Sequence, residues 1–557
     1  MLHCWALYLP VIACSCAHLT RASGTLALPL ERRLVHGGSS LAARGVYKRQ
    51  QSNVVGSNVY NVLPWSVGGA YYTNITLGTP PQELTVILDT GSSDLYVDAS
   101  SSPACQDTTS PTTCRGGSFD PGSSTSYAVA VLGGFNTSFG DGSTAAGDFG
   151  TDTLGIGSVA ITDVQFGVAT DVKSTTGFAV SLMGVGYAVN EASSREYPNM
   201  PEVLHQAGAI SSRLYSIYLN GYGDATGSIL FGGVDTSKYT GQLQTLNMLP
   251  IAEQDATTRQ SYGEVSAFLL AITGISLRVS GRTTTLLSGG DPDSGRNSDS
   301  IRVLLDTGST AWTVPPSYYA RLRDAFGSAV DSQGYVECSH QNDDVIVTIE
   351  FGAKVSIDVP ASSLIVPIYD PSDNLQLTST SGQPLCTFTI SPDSGNAQQK
   401  SNGFLILGDA VLRSMYVVFD MDNAQISIAQ SNPDASSDSS GGVKVVPAGP
   451  SGIAQAIGTG SAGVATASQN SNSVASEISA SRSLSFATAA TPVGTASGSL
   501  AIPAAGRVSS GALETSQAAA TSSASAALLT RTRRDDGYIF VFQTWSAMII
   551  TAFTLFL

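Results

Sequence analysis

An all-β fold built from two related lobes is what this sequence predicts, and three observations predict it. The first is a repeated signal. Val86-Ile-Leu-Asp89-Thr-Gly-Ser-Ser-Asp-Leu-Tyr96-Val97 runs from an apolar strand into a carboxylate, turns through Thr-Gly-Ser, and resumes as an apolar strand. Val303-Leu-Leu-Asp306-Thr-Gly-Ser-Thr-Ala-Trp312-Thr-Val314 does the same 217 residues later. The second is another pair, Phe178-Ala-Val-Ser-Leu-Met-Gly-Val-Gly186 and Gly403-Phe-Leu-Ile-Leu-Gly-Asp409, each an apolar run closed by glycine. The third is the texture between them: short β-branched runs with period-two alternation, separated by glycine and polar turns. One Asp-Thr-Gly triplet arises by chance; two, in the same order relative to a second repeat, point to a duplicated lobe.

The chain has 557 residues, too many for one compact core, so two or more domains are expected. Residues 1–22 hold an apolar stretch (5–17) followed by small residues and read as a secretory signal peptide, the stretch being short for a membrane span. Residues 23–49 are basic and end on Lys48-Arg49, so they read as a propeptide with a dibasic cleavage site before Gln50. Its positive charge can pair with an acidic cleft and hold it closed until cleavage or acidification.

The N-terminal β lobe is expected over residues 50–215. Ala70-Tyr-Tyr-Thr-Asn-Ile-Thr-Leu77, then residues 83–88 and 128–132, are its clearest strands. Phe139-Gly140-Asp141-Gly-Ser143 is a tight turn between two strand-like runs. The C-terminal β lobe is expected over residues 216–430, beginning with Ser216-Ile-Tyr-Leu219 and Gly227-Ser-Ile-Leu-Phe-Gly-Gly-Val-Asp235. Residues 280–300, rich in Ser, Gly and Asp, read as a surface insertion just before the second aspartate. It closes with Met415-Tyr-Val-Val-Phe-Asp420 and residues 424–429.

After Ser431 the composition turns to Ser, Ala, Thr and Gly with few aromatics, so residues 431–527 are expected to be a disordered stalk rich in hydroxyls. Residues 528–557 read as a GPI-anchor signal: small residues at 522–527, a polar spacer, then an apolar tail from 538. A transmembrane helix is the rival, but Arg531, Arg533 and Arg534 would lie outside with nothing basic inside.

The net charge of −16 is uneven: residues 1–49 carry +5 and those from 431 onward cancel, which leaves −21 on 50–430. An acidic body argues against a nucleic-acid partner and suits low pH or basic partners. Of seven cysteines, Cys4, Cys14 and Cys16 lie in the leader; Cys105, Cys114, Cys338 and Cys386 remain, an even count that reads as disulfides with three possible pairings. A zinc site has the wrong spacing and no histidine, so no metal and no cofactor is expected. Asn74-Ile-Thr76 and Asn136-Thr-Ser138 are N-glycosylation sequons.

Two carboxylates brought close cannot both ionise cheaply; they share a proton and titrate as a unit. The duplicated Asp-Thr-Gly triplets, the paired apolar-Gly strands and the glycine-rich turn resemble the pepsin-like aspartic proteases over residues 68–430. That resemblance implies a bilobal fold with pseudo-twofold symmetry and a cleft between the lobes. It makes Asp89 and Asp306 a catalytic dyad holding one water. It has Thr90, Gly91 and Ser92, with Thr307, Gly308 and Ser309, support the two loops. It pairs Cys105 with Cys114 and Cys338 with Cys386. The turn at Phe139, Gly140 and Asp141 matches the family's flap, with Phe139 where tyrosine is usual and Tyr96 in place of the usual tryptophan.

With the GPI-like tail, the chain looks like the fungal yapsin subgroup, which implies cleavage next to Lys or Arg, with Asp141 as the acidic partner. The expectation is a monomeric aspartic endopeptidase acting on proteins or peptides at the cell surface, in the plasma membrane or wall, after passage through the secretory pathway. An inactive pepsin-fold binding protein and a structural wall glycoprotein are the alternatives; intact triplets weigh against the first, and the second leaves the paired carboxylates unexplained.

Overall fold

The computed structural model describes residues 70–458 apart from 108–113, 115, 140–141, 175–178, 222–225, 252, 255–260, 263, 289–299, 353–354, 370–374, 394–402 and 436–441. It also gives the backbone of 26–31, 528–534 and 537–543. The signal peptide, Lys48-Arg49, Gly140, Asp141 and residues 459–527 lie outside the described residues.

Strands dominate, as the alternation predicts, and helices are short. The strand Gln82–Asp89 delivers the first aspartate, and Val86 and Leu88 are fully buried beneath it. It runs parallel to Leu182–Gly184, with Asp89 opposite Gly184. Leu95–Asp98 then returns antiparallel to that same short strand and parallel to Val159–Lys173. The second lobe repeats the figure. Ile301–Leu305 is parallel to Leu405–Leu407, and Trp312–Val314 returns antiparallel to it and parallel to Ile390–Pro392. Both paired repeats read in the sequence are therefore the same device: a short buried strand threaded between the two arms of an aspartate loop. A Cβ on Gly184 would meet the Ser93 amide nitrogen at 2.5 Å, and one on Gly408 the Ser309 carbonyl at 2.4 Å, so a side chain at either position would close the thread.

A thirteen-stranded sheet contains strands from both halves of the sequence. Its central part joins Leu214–Tyr218, Thr226–Phe231, Met415–Asp420 and Gln425–Ser431. Tyr215 and Phe419 stack there at 5.1 Å, with Phe268 against Phe419 at 4.6 Å. Leu214–Tyr218 spans the expected lobe boundary at 215/216. The strand Leu26–Glu31, within the expected propeptide, lies between Thr226–Phe231 and Tyr72–Leu77 in this sheet. An eight-stranded sheet makes the second lobe's core. The expected insertion at 280–300 starts as a regular hairpin strand, Arg282–Ser288, on Leu269–Val279.

One boundary moves. Composition places the end of the folded body at 430, but the chain continues as the strand Val443–Val445, paired with Gly233–Asp235, and the helix Gly452–Ile457. Val446 and Ile453 are buried in one cluster with Tyr218, Val234 and Tyr416. Among the described residues no helix is long and apolar enough to cross a membrane.

Candidate active site

The two aspartate loops meet back to back. The Thr90 amide donates to Thr307 Oγ1 at 3.1 Å, and the Thr307 amide donates to Thr90 Oγ1 at 3.0 Å. Each hydroxyl in turn donates to a carbonyl of the opposite loop: Thr90 to Leu305 O and Thr307 to Leu88 O, both at 2.9 Å. Four buried bonds thus clamp the loops in one register. Gly91 and Gly308 make the approach possible. A Cβ on Gly91 would sit 2.6 Å from Asp306 Oδ1, and one on Gly308 2.5 Å from Asp89 Oδ1.

The clamp leaves Asp89 and Asp306 hydrogen-bonded to each other, 4% and 0% exposed. Their surroundings differ. Asp89 Oδ1 accepts the Gly91 amide at 2.8 Å, and Oδ2 accepts the Ser92 hydroxyl at 2.5 Å. Asp306 Oδ1 accepts the Gly308 amide at 2.9 Å, but its Oδ2 finds no donor among the described residues.

Burial raises both carboxyls above the ordinary carboxylate value. For Asp89 that rise is opposed by Ser92 and by the loop amides. For Asp306 burial is reinforced by the charge of Asp89, and Asp306 is held well above its usual value. The buried pair therefore shares one proton and titrates as a unit, and the Ser92 hydroxyl favours the charge on Asp89. That arrangement offers a base and an acid side by side.

Of the residues singled out in the sequence, Ser309 is buried in the second loop. Phe139 closes the hairpin between Ala128–Ser138 and Thr144–Ile156, its amide donating to Ser143 O at 2.8 Å. Its ring centroid lies 6.1 Å from that of Tyr96, which also packs on Phe135 at 5.4 Å. The Tyr96 hydroxyl donates to Val180 O at 3.3 Å, so it ties down the loop before Leu182–Gly184. Both cysteine pairs form as the resemblance implies, Cys105–Cys114 and Cys338–Cys386. Among the described residues, one grouping has metal-ligating spacing, Asp98 with Cys105 and Cys114, and its thiols are consumed by the disulfide. Asn136 is exposed, whereas Asn74 is half-buried and accepts the Thr85 hydroxyl at 2.7 Å.

A second buried carboxyl set escaped the sequence reading. Asp94, directly after the first loop, meets Tyr197 and the segment around Glu191, about a hundred residues away in sequence. No motif marks them in the sequence.

The comparisons agree with this geometry. The family model for eukaryotic aspartyl protease matches residues 70–431. The chain is 36% identical over 475 residues to a probable aspartic-type endopeptidase opsB of Aspergillus oryzae, covering 82% of this chain and 86% of that one. It is 33% identical to the aspartic proteinase yapsin-3 of Saccharomyces cerevisiae, over 65% of this chain and 66% of the relative. It is 32% identical to secreted aspartic protease 3 of Candida albicans, over 65% and 79%. With a duplicated carboxylate loop clamped across two lobes and a family match over most of the folded body, the chain belongs to the pepsin-like eukaryotic aspartyl proteases and is an aspartic endopeptidase.

Proposed function

We propose that Asp89 and Asp306 are the catalytic dyad of this endopeptidase. The observation that carries the reading is the asymmetric hydrogen-bonded pair held by the Thr90–Thr307 clamp. Asp89, ionised, takes a proton from a water as its oxygen attacks the scissile carbonyl carbon. Asp306, protonated, gives its proton to the carbonyl oxygen, forming a gem-diol. Collapse of that intermediate returns one proton to the dyad and passes the other to the leaving nitrogen. The C–N bond breaks, leaving a carboxyl and an amine. No acyl-enzyme forms. Phe139, with Gly140 and Asp141 in the same turn, covers the substrate.

The finer reading is cleavage next to Lys or Arg at the cell surface. The −21 charge of residues 50–430, Asp141 in the flap turn and the similarity to a yapsin support it. The leader, the dibasic Lys48-Arg49 and the hydroxyl-rich stalk support secretion as a zymogen and a surface position, with GPI attachment within 522–527. The exposed Asn136 supports glycosylation there, and the Asn74 sequon is the second site. Both carboxyls come from one chain, so a monomer suffices.

Peptide cleavage across pH, with and without pepstatin, tests the reaction; Asp89→Asn abolishing cleavage while the fold persists supports the dyad. Asp141→Ser on Lys-containing and Leu-containing peptides tests the preference, and an unchanged ratio ends it. Release from cells by a phosphatidylinositol-specific phospholipase tests the anchor.

A further inference from the structure

The strand Leu95–Asp98 ends on a carboxyl that the cleavage chemistry does not use. Asp98 is 0% exposed. Its backbone is satisfied: the amide donates to Ser181 Oγ at 3.0 Å, and the carbonyl accepts the Phe119 amide at 2.8 Å. Its side chain is not satisfied. Oδ1 finds no donor among the described residues, and Oδ2 lies 3.9 Å from Cys114 Sγ. A buried carboxyl without a donor is costly, so its place beside two sulfurs calls for a reason. One ligand atom from each of Asp98, Cys105 and Cys114 lies within 4.8 Å of the other two. Both cysteines are half-buried, which leaves their sulfurs a path to solvent, whereas Cys386 of the other disulfide is fully buried.

The loop that carries the sulfurs is held by bonds other than the disulfide. The Ser102 amide donates to Ala99 O and the Cys105 amide to Ser102 O, both at 2.9 Å, so Cys105 follows the strand through two consecutive turns. On the return arm the Gly117 amide donates to Cys114 O at 3.0 Å, and the Thr85 amide to Gly116 O at 2.7 Å. The Ser100 amide donates to Phe119 O at 2.8 Å, and Ala99 and Phe119 form a parallel bridge between the two arms. The Cα atoms of the cysteines are 5.1 Å apart. Turning the side chains brings the sulfurs to about 3.8 Å, the spacing that Zn–S bonds of about 2.3 Å require in a tetrahedron. The three donors therefore keep their places when the S–S bond opens. Cysteine and histidine spacing misses this set, because its third donor is a carboxylate.

We propose that Asp98, Cys105 and Cys114 form a redox-gated site for a divalent cation of the zinc class, closed while the disulfide stands and opened when a dithiol reductant breaks it. The reductant's thiolate attacks one cysteine sulfur, and the other cysteine leaves as a thiolate. The reductant's second thiol then displaces the first cysteine and completes the reductant's own disulfide. Two electrons and two protons pass to the cysteine pair. Metal binding displaces those two protons to solvent and sets two thiolates and one carboxylate on the cation, which gives Asp98 the partner it lacks. Water takes the fourth position, as in other zinc sites with three protein ligands. The thiolates select zinc or cadmium over magnesium and calcium, which take oxygen ligands. The site draws on neither aspartate of the dyad.

The experiment uses the full chain carrying Cys4→Ser, Cys14→Ser and Cys16→Ser, so that every remaining sulfur of cysteine belongs to one of the two disulfides. Dithiothreitol is added in steps under nitrogen, and alkylation with mass spectrometry shows which pair has opened. After removal of the reductant, Cd²⁺ is titrated and read by its ultraviolet thiolate charge-transfer band, and Zn²⁺ by competition with a chromophoric chelator. Near-UV circular dichroism follows the fold throughout. Cys105–Cys114 is expected to open before Cys338–Cys386, and the chain then to bind one cation with its dichroism retained; the oxidised chain is expected to show no band. Asp98→Asn keeps the size of the side chain and removes its charge. It is expected to fold, to form the disulfide and, once reduced, to bind either cation at least about tenfold more weakly. Cys105→Ser leaves one thiol and is expected to lose tight binding, whereas Asp89→Asn is expected to bind unchanged, which keeps this test separate from the dyad. A reduced chain that takes up no cation would overturn the proposal, as would equal affinity in Asp98→Asn. Loss of the dichroism on opening the pair would overturn it too, because the site needs Asp98 held in its strand.

Discussion

Thr90 and Thr307 bond to each other in both directions, amide to hydroxyl, at 3.1 and 3.0 Å across 217 residues of chain. The consequence is that neither carboxylate loop has a self-sufficient backbone: each completes its hydrogen bonding only with the other lobe. Replacing Thr307 with Val keeps the shape but leaves the Thr90 amide and the Leu88 carbonyl without partners. Each buried orphan costs about 1–3 kcal/mol. Thr307→Val is therefore expected to lower thermal stability and to reduce kcat/KM about tenfold or more through misplacement of Asp306. Scanning calorimetry with steady-state kinetics checks both.

The different surroundings of the two carboxyls predict the shape of the pH profile. Both are raised by burial, and Asp306 is raised further by the charge on Asp89. Activity needs one proton on the pair, so kcat/KM is expected to be bell-shaped, with macroscopic limbs that belong to the pair. On the acid limb the pair gains a second proton and the base is lost; on the other limb it loses its shared proton and the acid is lost. Ser92→Ala removes the 2.5 Å donor that opposes protonation of Asp89. The expected result is an acid limb moved to higher pH, measured from kcat/KM against pH.

How much of this was legible in the chain depends on whether the residues announce themselves locally. The aspartate loops did, because a strand ending in Asp-Thr-Gly occurs twice and the structure threads each with its apolar-Gly strand. The clamp was legible only through the resemblance, since nothing in the composition of Thr90 or Thr307 says that one will bond to the other. Asp94, Tyr197 and Glu191 were not legible at all. They are joined by folding over about a hundred residues, and each reads locally as an ordinary polar residue. The folded stretch at 443–457 was hidden by its setting, because Val443, Val445, Val446 and Ile453 are diluted among the Gly, Ser and Pro of a stalk-like composition.

Tyr96 and Phe139 exchange the hydroxyl that the family resemblance places on the flap. Here the flap contact is ring against ring at 6.1 Å, and the Tyr96 hydroxyl serves Val180 O instead. Tyr96→Phe keeps the ring and frees one carbonyl acceptor, a loss of about 0.5–1.5 kcal/mol in stability with kcat/KM little changed. Tyr96→Ala removes the support behind both Phe135 and Phe139 and is expected to cost about 3–5 kcal/mol, with a raised KM from a poorly seated flap. Parallel melting and kinetic measurements on the two variants separate the ring from the hydroxyl.

The family match stops at residue 431, but the chain's interactions do not. Val443–Val445 adds an edge to Gly233–Asp235, the Val446 amide donates to Gly232 O at 3.0 Å, and the Gly442 carbonyl accepts the Thr236 amide at 2.9 Å. That edge sits on a network reaching the central sheet. The Asp235 amide donates to the Tyr416 hydroxyl at 2.6 Å, Tyr416 donates to Ser216 Oγ at 2.8 Å, and Ser216 donates to Gly233 O at 2.9 Å. Burying Val446 and Ile453 contributes about 1.5–3 kcal/mol apiece. A chain ending after Gly458 is therefore expected to melt with the full-length protein. One ending after Ser431 should lose about 3–6 kcal/mol and melt roughly 6–24 °C lower, at about 2–4 °C for each kcal/mol. Equal melting temperatures for the two truncations would show that 443–457 is carried by the body without supporting it.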